Sequence, residues 1–182
     1  MRFVIKSCYI IQMETSDNII LIGMPAAGKS TVGVILAKKM GYAFLDTDVY
    51  IQTREERLLH EIIKNEGVAG FCSIEERHVL SISEKKHVIA TGGSVIYGKA
   101  GMAHLKQNGF IVYLETSTKI LLSRIVNPEQ RGVAKKPGQT IESLFEERHP
   151  LYQSFADSIV NCNHSESPVQ TADEIIKRLK KL

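Results

Sequence analysis

An eight-residue segment near the start of the chain contains the residue types that hold phosphate groups. Residues 23–30 read GMPAAGKS, which fits the pattern G-x-x-x-x-G-K-S/T in full. Glycines let the backbone curl so that its N–H groups converge on phosphate oxygens, and the following helix N-terminus adds partial positive charge. The pattern also predicts that Lys29 reaches the β- and γ-phosphates of a nucleotide and that the Ser30 hydroxyl binds Mg²⁺.

The sequence on either side of this loop supports the same interpretation. An apolar run at residues 19–22 precedes the loop and an amphipathic segment at residues 31–40 follows it, so the loop joins a predicted strand to a predicted helix. The alternative is a glycine-rich turn that matches by chance, and such a turn would not require this context. The predicted nucleotide-binding residues of the loop are Gly23, Ala26, Ala27, Gly28, Lys29, Ser30 and Thr31.

Two carboxylates follow the second predicted strand, in the sequence Leu45-Asp46-Thr47-Asp48. Acids two positions apart at the carboxyl end of a strand lie in the crevice where α/β proteins bind ligands. One can face Mg²⁺ while the other faces a hydroxyl group that accepts phosphate. GTPases and motor ATPases usually place an acid after a later strand, and here that position reads TGG without one. The alternative is an Asx turn in which Asp48 caps the next helix.

Five short apolar runs alternate with longer segments of helical periodicity. The runs are continuously apolar, which is typical of strands that helices cover on both faces. The sequence therefore predicts an α/β fold with a parallel sheet flanked by helices. The predicted strands are residues 19–22, 43–45, 88–90, 110–114 and 158–160, and the predicted helices are residues 31–40, 58–65, 74–83, 99–107, 118–126, 141–148 and 172–181.

Glycine and proline mark where several of these elements end. Gly41 is a predicted C-cap, because glycine adopts the left-handed conformation without steric cost. The helix at residues 141–148 is expected to stop before Pro150, because the residue preceding a proline is pushed out of the α region. Residues 127–139 combine proline and glycine with basic side chains, which predicts a mobile basic loop and not a linker between domains.

Length and composition limit the class of protein. A chain of 182 residues is typical of one domain, and a net charge of +3 is too small to indicate nucleic acid as the main partner. No apolar stretch approaches the roughly 20 residues of a membrane span, so we expect no membrane partner. Three cysteines without a C-x-x-C pair predict neither a disulfide framework nor a metal site, and they favour the cytoplasm.

Residues 1–16 are expected to be an N-terminal extension ahead of the first strand. The apolar run there is interrupted by Lys6 and Ser7, which argues against a secretory signal. Met13 is one candidate for the native start, and an additional edge strand or an ordered tail is the alternative.

Taken together, these segments resemble the shikimate kinases. The resemblance runs from about Asn18 to the C-terminus, and the segments that carry it are IILIGMPAAGKSTVG, FLDTDVYI, IATGGSV, VYLETS and ERHPLY. It implies a P-loop kinase fold with a five-stranded parallel sheet in the order 2-3-1-4-5, an acceptor-binding segment at residues 49–84 and a lid at residues 127–139. It also implies ATP and Mg²⁺ as cofactors and transfer of the γ-phosphoryl group to a hydroxyl of shikimate. We expect a monomer.

The resemblance further implies roles for individual side chains. Asp48 is expected to orient or deprotonate the attacking hydroxyl, and Asp46 to lie on the Mg²⁺ side. Arg131 resembles the lid arginine that closes over the phosphates, and Arg124 the arginine that stacks on adenine. Arg148 resembles the arginine that pairs with the acceptor carboxylate, a task that suits its bidentate fork. Two glycines, Gly92 and Gly93, are expected to let the acceptor approach the backbone closely.

The sequence departs from the family mainly on the acceptor side. The family usually has an arginine directly after the phenylalanine that matches Phe71, and here Cys72 stands in that place. Only two glycines follow the third strand, and the lid reads Arg131-Gly132-Val133 where the family usually has Arg-Pro-Leu. Arg148 alone would then hold shikimate, or the acceptor is a different small hydroxy acid or hydroxy amino acid. A non-catalytic ATP-binding module and a nucleoside kinase are further alternatives.

Overall fold

The structure is a computed structural model that describes residues 18–125, 132–163 and 167–180. Its centre is one sheet of five parallel strands in the order β2-β3-β1-β4-β5. The strands are β1 (Asn18–Ile22), β2 (Ala43–Asp46), β3 (His87–Ala90), β4 (Gly109–Glu115) and β5 (Ser158–Asn161). This arrangement confirms the predicted α/β fold and strand order.

Seven helices and one short 3₁₀ turn of the described residues surround the sheet. The helices are α1 (Lys29–Met40), α2 (Thr47–Glu55), α3 (Leu59–Leu80), α4 (Lys99–Gln107), α5 (Thr118–Arg124), α6 (Ile141–Phe155) and α7 (Pro168–Leu179), and the 3₁₀ turn is Val95–Tyr97. No helix within the described ranges has the length and apolar character needed to cross a membrane.

The central strand β1 carries the core and fixes the loop that follows it. All five of its residues are buried, and it pairs with β3 on one side and β4 on the other. Helices cover both faces of the sheet, so a continuous apolar strand is what this position requires. The chain leaves β1 at Ile22 and enters the phosphate-binding loop directly, which places that loop at the carboxyl edge of the sheet.

Helix α2 was not predicted by apolar periodicity. It begins after β2 because Asp46 is its N-cap, with the side-chain Oδ1 accepting hydrogen bonds from the Asp48 and Val49 N–H groups at 3.0 and 3.4 Å. The alternative that made Asp48 the cap is therefore wrong, since Asp48 lies within the first turn. The Asp48 carboxylate takes no part in the cap and is available to a ligand.

Helix α3 joins two segments that were predicted as separate helices, at residues 58–65 and 74–83. Gly67 interrupts it with φ 71° and ψ 176°, a conformation that glycine adopts readily. The helix resumes at once after Gly67, because Phe71, Glu75 and Val79 form a buried stripe at a spacing of four residues. The predicted interruption is present, but the predicted gap between the two helices is not.

The predicted end of α6 before Pro150 is wrong, since the helix continues to Phe155 with the proline inside. Proline removes one backbone hydrogen bond from a helix interior. Tertiary contacts compensate two residues later: Tyr152 is fully buried, its ring stacks on Tyr113 with centroids 5.0 Å apart, and its hydroxyl donates to the Gly93 carbonyl at 2.6 Å.

The remaining predicted boundaries shift by a few residues. Helix α1 ends as predicted at Gly41, which is left-handed with φ 68°. Helix α7 begins at Pro168, earlier than predicted, because Ser167 forms a capping box with Gln170. The predicted N-terminal extension at residues 1–16 lies outside the described residues, and so do residues 127–131 of the predicted lid.

Candidate active site

The loop between β1 and α1 is shaped for close approach of phosphate. Gly23 has φ 146°, and a Cβ there would lie 2.9 Å from the Leu114 carbonyl oxygen, so only glycine fits. Gly28 is the left-handed N-cap of α1, and Ala26 also has a positive φ of 65°. The curled backbone therefore leads the loop directly to the N-terminus of α1, where N–H groups and the helix dipole favour an anion.

Lys29 is held inside this loop. Its Nζ donates to the carbonyl oxygens of Gly23 and Met24, both at 2.8 Å, and the side chain is buried. Burial lowers the Lys29 pKa to about 8, while the nearby Asp48 and Asp46 carboxylates oppose that shift. The ammonium therefore stays protonated at neutral pH and is oriented before a phosphate arrives.

Asp48 is a partly buried carboxyl at the cavity wall, with a pKa raised toward neutrality. Burial and, to a smaller extent, the neighbouring Asp46 carboxylate raise its pKa to about 6, while Lys29 opposes them. At neutral pH the group is mostly ionised, yet it takes up a proton far more readily than an ordinary aspartate. Asp48 is therefore a candidate proton acceptor.

The backbone passes between these side chains at two glycines. A Cβ on Gly92 would lie 2.2 Å from Glu75 Oε1 and 2.8 Å from Asp48 Oδ1. A Cβ on Gly93 would lie 2.8 Å from Pro25 Cδ and 3.0 Å from Arg148 Nη1. A side chain at either position would therefore displace these groups, because acidic, basic and loop side chains pack directly over the chain.

Arg148 is the largest fully buried side chain among the described residues, with 1% of its surface exposed. Its Nε donates to the Tyr97 hydroxyl at 3.1 Å, and its Nη2 donates to the Ala134 carbonyl. The Tyr97 ring lies 5.1 Å from the guanidinium carbon. A buried arginine held only by neutral acceptors at these contacts keeps its positive charge for an anionic ligand.

Glu75 is a site residue that the sequence interpretation missed. Its side chain is 1% exposed, and its Oε1 has no hydrogen-bond partner among the described residues. Burial raises its pKa to about 8, while a hydrogen bond with Ser94 opposes that shift. An acid on the apolar stripe of α3, four residues after Phe71 and four before Val79, was the available signal.

One cavity of about 660 Å³ brings both groups of candidates together. Its wall includes residues 26–31 and Arg124 on the nucleotide side, and Asp48, Gly92, Gly93 and Arg148 on the acceptor side. Gly23 and Asp46 are not among the residues that line the cavity; each lies close in sequence to one that does. Arg131, the predicted lid arginine, lies outside the described residues. Arg124 contacts the loop through Nη1, 3.4 Å from the Ala26 carbonyl oxygen.

The oxygen atoms available for Mg²⁺ fit that ion's preference. Ser30 offers an exposed hydroxyl at the cavity wall, and Asp46 offers a carboxylate whose Oδ1 also caps α2. No group of three or more His, Cys, Asp or Glu side chains within the described residues is placed to hold a metal. Mg²⁺ is usually held by one or two protein ligands together with substrate phosphates and water, so this sparse set suits it.

Cys72 brings no charge to the acceptor side. It is half-buried on α3, and burial raises its thiol pKa to about 11, with the Glu75 carboxyl acting in the same direction. The thiol is therefore neutral and unreactive at neutral pH. It behaves as a small apolar residue.

Comparisons with known proteins agree on one family. The shikimate kinase family model matches residues 25–180. A shikimate kinase of Trichormus variabilis is 38% identical over 163 residues, which cover 88% of this chain and 89% of that protein. A shikimate kinase of Sulfurihydrogenibium is 33% identical over 165 residues, covering 90% and 98%.

Solved structures give the same result. The shikimate kinase from Acinetobacter baumannii in complex with shikimate superposes with a TM-score of 0.79 at 30% identity, covering 91% of this chain and 93% of that one. The shikimate kinase from Aquifex aeolicus superposes with a TM-score of 0.76 at 32% identity, covering 90% and 96%. By sequence, fold and the phosphate-binding loop, the chain belongs to the shikimate kinase family.

Proposed function

We propose that this protein transfers the γ-phosphoryl group of ATP to a hydroxyl of shikimate. The observation that carries the proposal is the single cavity in which the loop at residues 26–31 faces Asp48 and Arg148. Such a cavity holds a phosphate donor and a carboxylate-bearing acceptor side by side. Family membership and the similarity to a structure that contains shikimate support the choice of acceptor.

The nucleotide side supplies positioning and charge. The backbone of the loop and Lys29 hold the β- and γ-phosphates, and Arg124 lies beside the loop where an adenine ring would stack. Ser30 and Asp46 would hold Mg²⁺, which neutralises charge on the phosphates when bound. We retain Arg131 as the predicted lid arginine that stabilises the transferred group.

Asp48 performs the proton transfer in this proposal. The acceptor hydroxyl gives its proton to the Asp48 carboxylate as its oxygen bonds to the γ-phosphorus. The bond between that phosphorus and the β,γ-bridging oxygen breaks, and ADP leaves with the electron pair. A pKa of about 6 suits this role, because the group is ionised before the reaction and accepts a proton during it.

Arg148 holds the acceptor carboxylate, and the state of Glu75 assists it. With its pKa raised to about 8, Glu75 is mostly uncharged at neutral pH, so it does not repel an anionic acceptor. Lys29 and Arg148 then outweigh the charge of Asp48 at the cavity wall. The site favours a small anion that also bears a hydroxyl group.

The test is ADP release with ATP and Mg²⁺, with shikimate compared against a panel of hydroxy acids, hydroxy amino acids and sugars. Strong stimulation by shikimate, lost in Asp48→Asn, supports the proposal. Stimulation by another hydroxy acid with shikimate inactive would identify a different acceptor, which the neutral Cys72 favours as the second candidate. Slow hydrolysis that no compound stimulates would indicate a non-catalytic ATP-binding module.

For compartment and assembly we keep the predictions made from the sequence. Both cysteines of the described ranges, Cys72 and Cys162, are free thiols, which agrees with a reducing compartment. We propose a cytoplasmic protein that acts on a small molecule, and we keep the monomer as a prediction from the sequence.

A further inference from the structure

The guanidinium of Arg148 is fixed by the protein before any ligand binds. Its Nε donates to the Tyr97 hydroxyl at 3.1 Å, and the Tyr97 ring centroid lies 5.1 Å from the guanidinium carbon. Its Nη2 donates to the Ala134 carbonyl, and its Nη1 lies beside Gly93 at the cavity wall. These contacts from separate parts of the fold set both the place and the plane of the group.

Tyr97 is itself held from the other side. Its hydroxyl donates to Glu147 Oε1 at 2.5 Å, and Glu147 Oε2 accepts from Gln139 Nε2 at 2.9 Å. The single hydroxyl proton is therefore committed to Glu147, which leaves the oxygen lone pairs free to accept from Arg148. Gln139 and Ala134 both lie in the irregular segment at residues 132–140, so this chain of hydrogen bonds joins Arg148 to that segment in two places.

We infer that Tyr97 is a positioning residue for the acceptor: it orients the Arg148 guanidinium so that one arginine binds the acceptor carboxylate bidentately. The inference rests on the proposed function. Bidentate binding of a carboxylate requires the edge of the planar Arg148 guanidinium to face it. Cys72 carries no positive charge, so no cation at that position compensates for a misaligned guanidinium. Tyr97 does not line the cavity, so it acts through Arg148 alone.

The fold explains why a tyrosine reaches this position. The 3₁₀ turn Val95–Tyr97 follows directly after Gly92, Gly93 and Ser94, which form the cavity wall. Val95 and Ile96 are buried in the core, so the turn is anchored and Tyr97 projects toward α6. The same loop thus supplies the glycines that approach the ligand and the side chain that orients the arginine.

The test compares Tyr97→Phe with the wild-type protein in the ADP-release assay. Phenylalanine keeps the ring over the guanidinium and removes only the hydroxyl. We expect the shikimate KM to rise roughly tenfold or more, as for loss of a hydrogen bond to a charged group, with the ATP KM within about twofold of wild type. Tyr42→Phe is the matched control, because it removes a tyrosine hydroxyl just before β2, at the opposite end of the strands from the cavity.

A double-mutant cycle separates positioning from a general structural effect. Binding of shikimate to the ADP complex is measured by calorimetry for wild type, Tyr97→Phe, Arg148→Lys and the double variant. If Tyr97 acts through Arg148, Tyr97→Phe weakens binding less than threefold once Arg148 is lysine. An unchanged shikimate KM in Tyr97→Phe, equal rises in both KM values, or additive effects in the cycle would each overturn the inference while leaving the proposed function standing. A wild-type protein that shikimate does not stimulate would overturn both.

Discussion

Replacing Cys72 by arginine tests how the acceptor side is built. Residue 72 lies on α3, three residues before Glu75, whose buried Oε1 has no hydrogen-bond partner among the described residues. A guanidinium at residue 72 would pair with that carboxyl, lower its pKa from about 8, and add a second cation for the acceptor carboxylate. We expect Cys72→Arg to raise the kcat/KM for shikimate.

The size of the effect follows from one hydrogen bond to a charged group. Such a bond contributes about 1.5–3 kcal/mol, which corresponds to roughly ten- to 150-fold in kcat/KM. Cys72 is only half-buried, so partial exposure to solvent places the expected increase toward the lower end. The gain is expected as a lower shikimate KM more than as a higher kcat, because the added group binds acceptor and transition state alike.

The assay is steady-state ADP release at varied shikimate, with the melting temperature of each variant measured in parallel. Ser73→Arg is the matched control, since it adds the same charge at the next residue on the exposed face of α3. It is expected to leave the kcat/KM for shikimate within about twofold of wild type. An unchanged kcat/KM in a Cys72→Arg protein that melts like wild type would refute this account of the acceptor side.

Three further outcomes follow from the same geometry. Gly92→Ala is expected to lower kcat/KM at least 100-fold, because its Cβ would lie 2.2 Å from Glu75 Oε1. In the control Gly101→Ala the Cβ would lie 3.3 Å from its nearest contact, Val79 Cγ1, and kcat/KM is expected to stay within about twofold of wild type, as steady-state kinetics of both variants can check. The kcat/KM for shikimate is expected to fall tenfold per pH unit below about pH 6 as Asp48 takes up its proton, and a flat pH profile down to pH 5 would contradict the role of Asp48. Asp48→Asn is expected to lower kcat roughly 10²- to 10⁴-fold. Since burial raises the pKa of Glu75 from 4.5 to about 8, the folded state binds this proton more tightly than the unfolded state. The stability that this proton contributes is therefore full below pH 4.5 and is lost as the pH rises to 8. The melting temperature of Glu75→Gln should rise relative to that of wild type across this window, and parallel plots of melting temperature against pH would contradict it.

The sheet and the phosphate-binding loop were predictable because local sequence determines both. Each strand is a short apolar run between polar helical segments, and residues 23–30 lie where the motif requires a strand before and a helix after. All five predicted strands are present with their ends shifted by one residue at most. The P-loop candidates at residues 26–31 therefore fall on the cavity wall without further information.

The parts that the sequence did not predict depend on tertiary packing. Glu75 was missed because an acid on an apolar stripe is recognised only when the stripe is known to be buried. The passage of α6 through Pro150 depends on the contacts of Tyr152 with Tyr113 and Gly93, which come from distant parts of the chain. The contact between Tyr97 and Arg148 joins residues 51 positions apart, and no periodicity indicates it.

Identification of the product tests the phosphoryl transfer to shikimate most directly. The protein is incubated with ATP, Mg²⁺ and shikimate, and the mixture is followed by ³¹P NMR with ADP measured in parallel. We expect one phosphate monoester of shikimate for each ADP formed, and none in the Asp48→Asn protein. Formation of ADP and free phosphate in equal amounts, with shikimate unmodified, would contradict it.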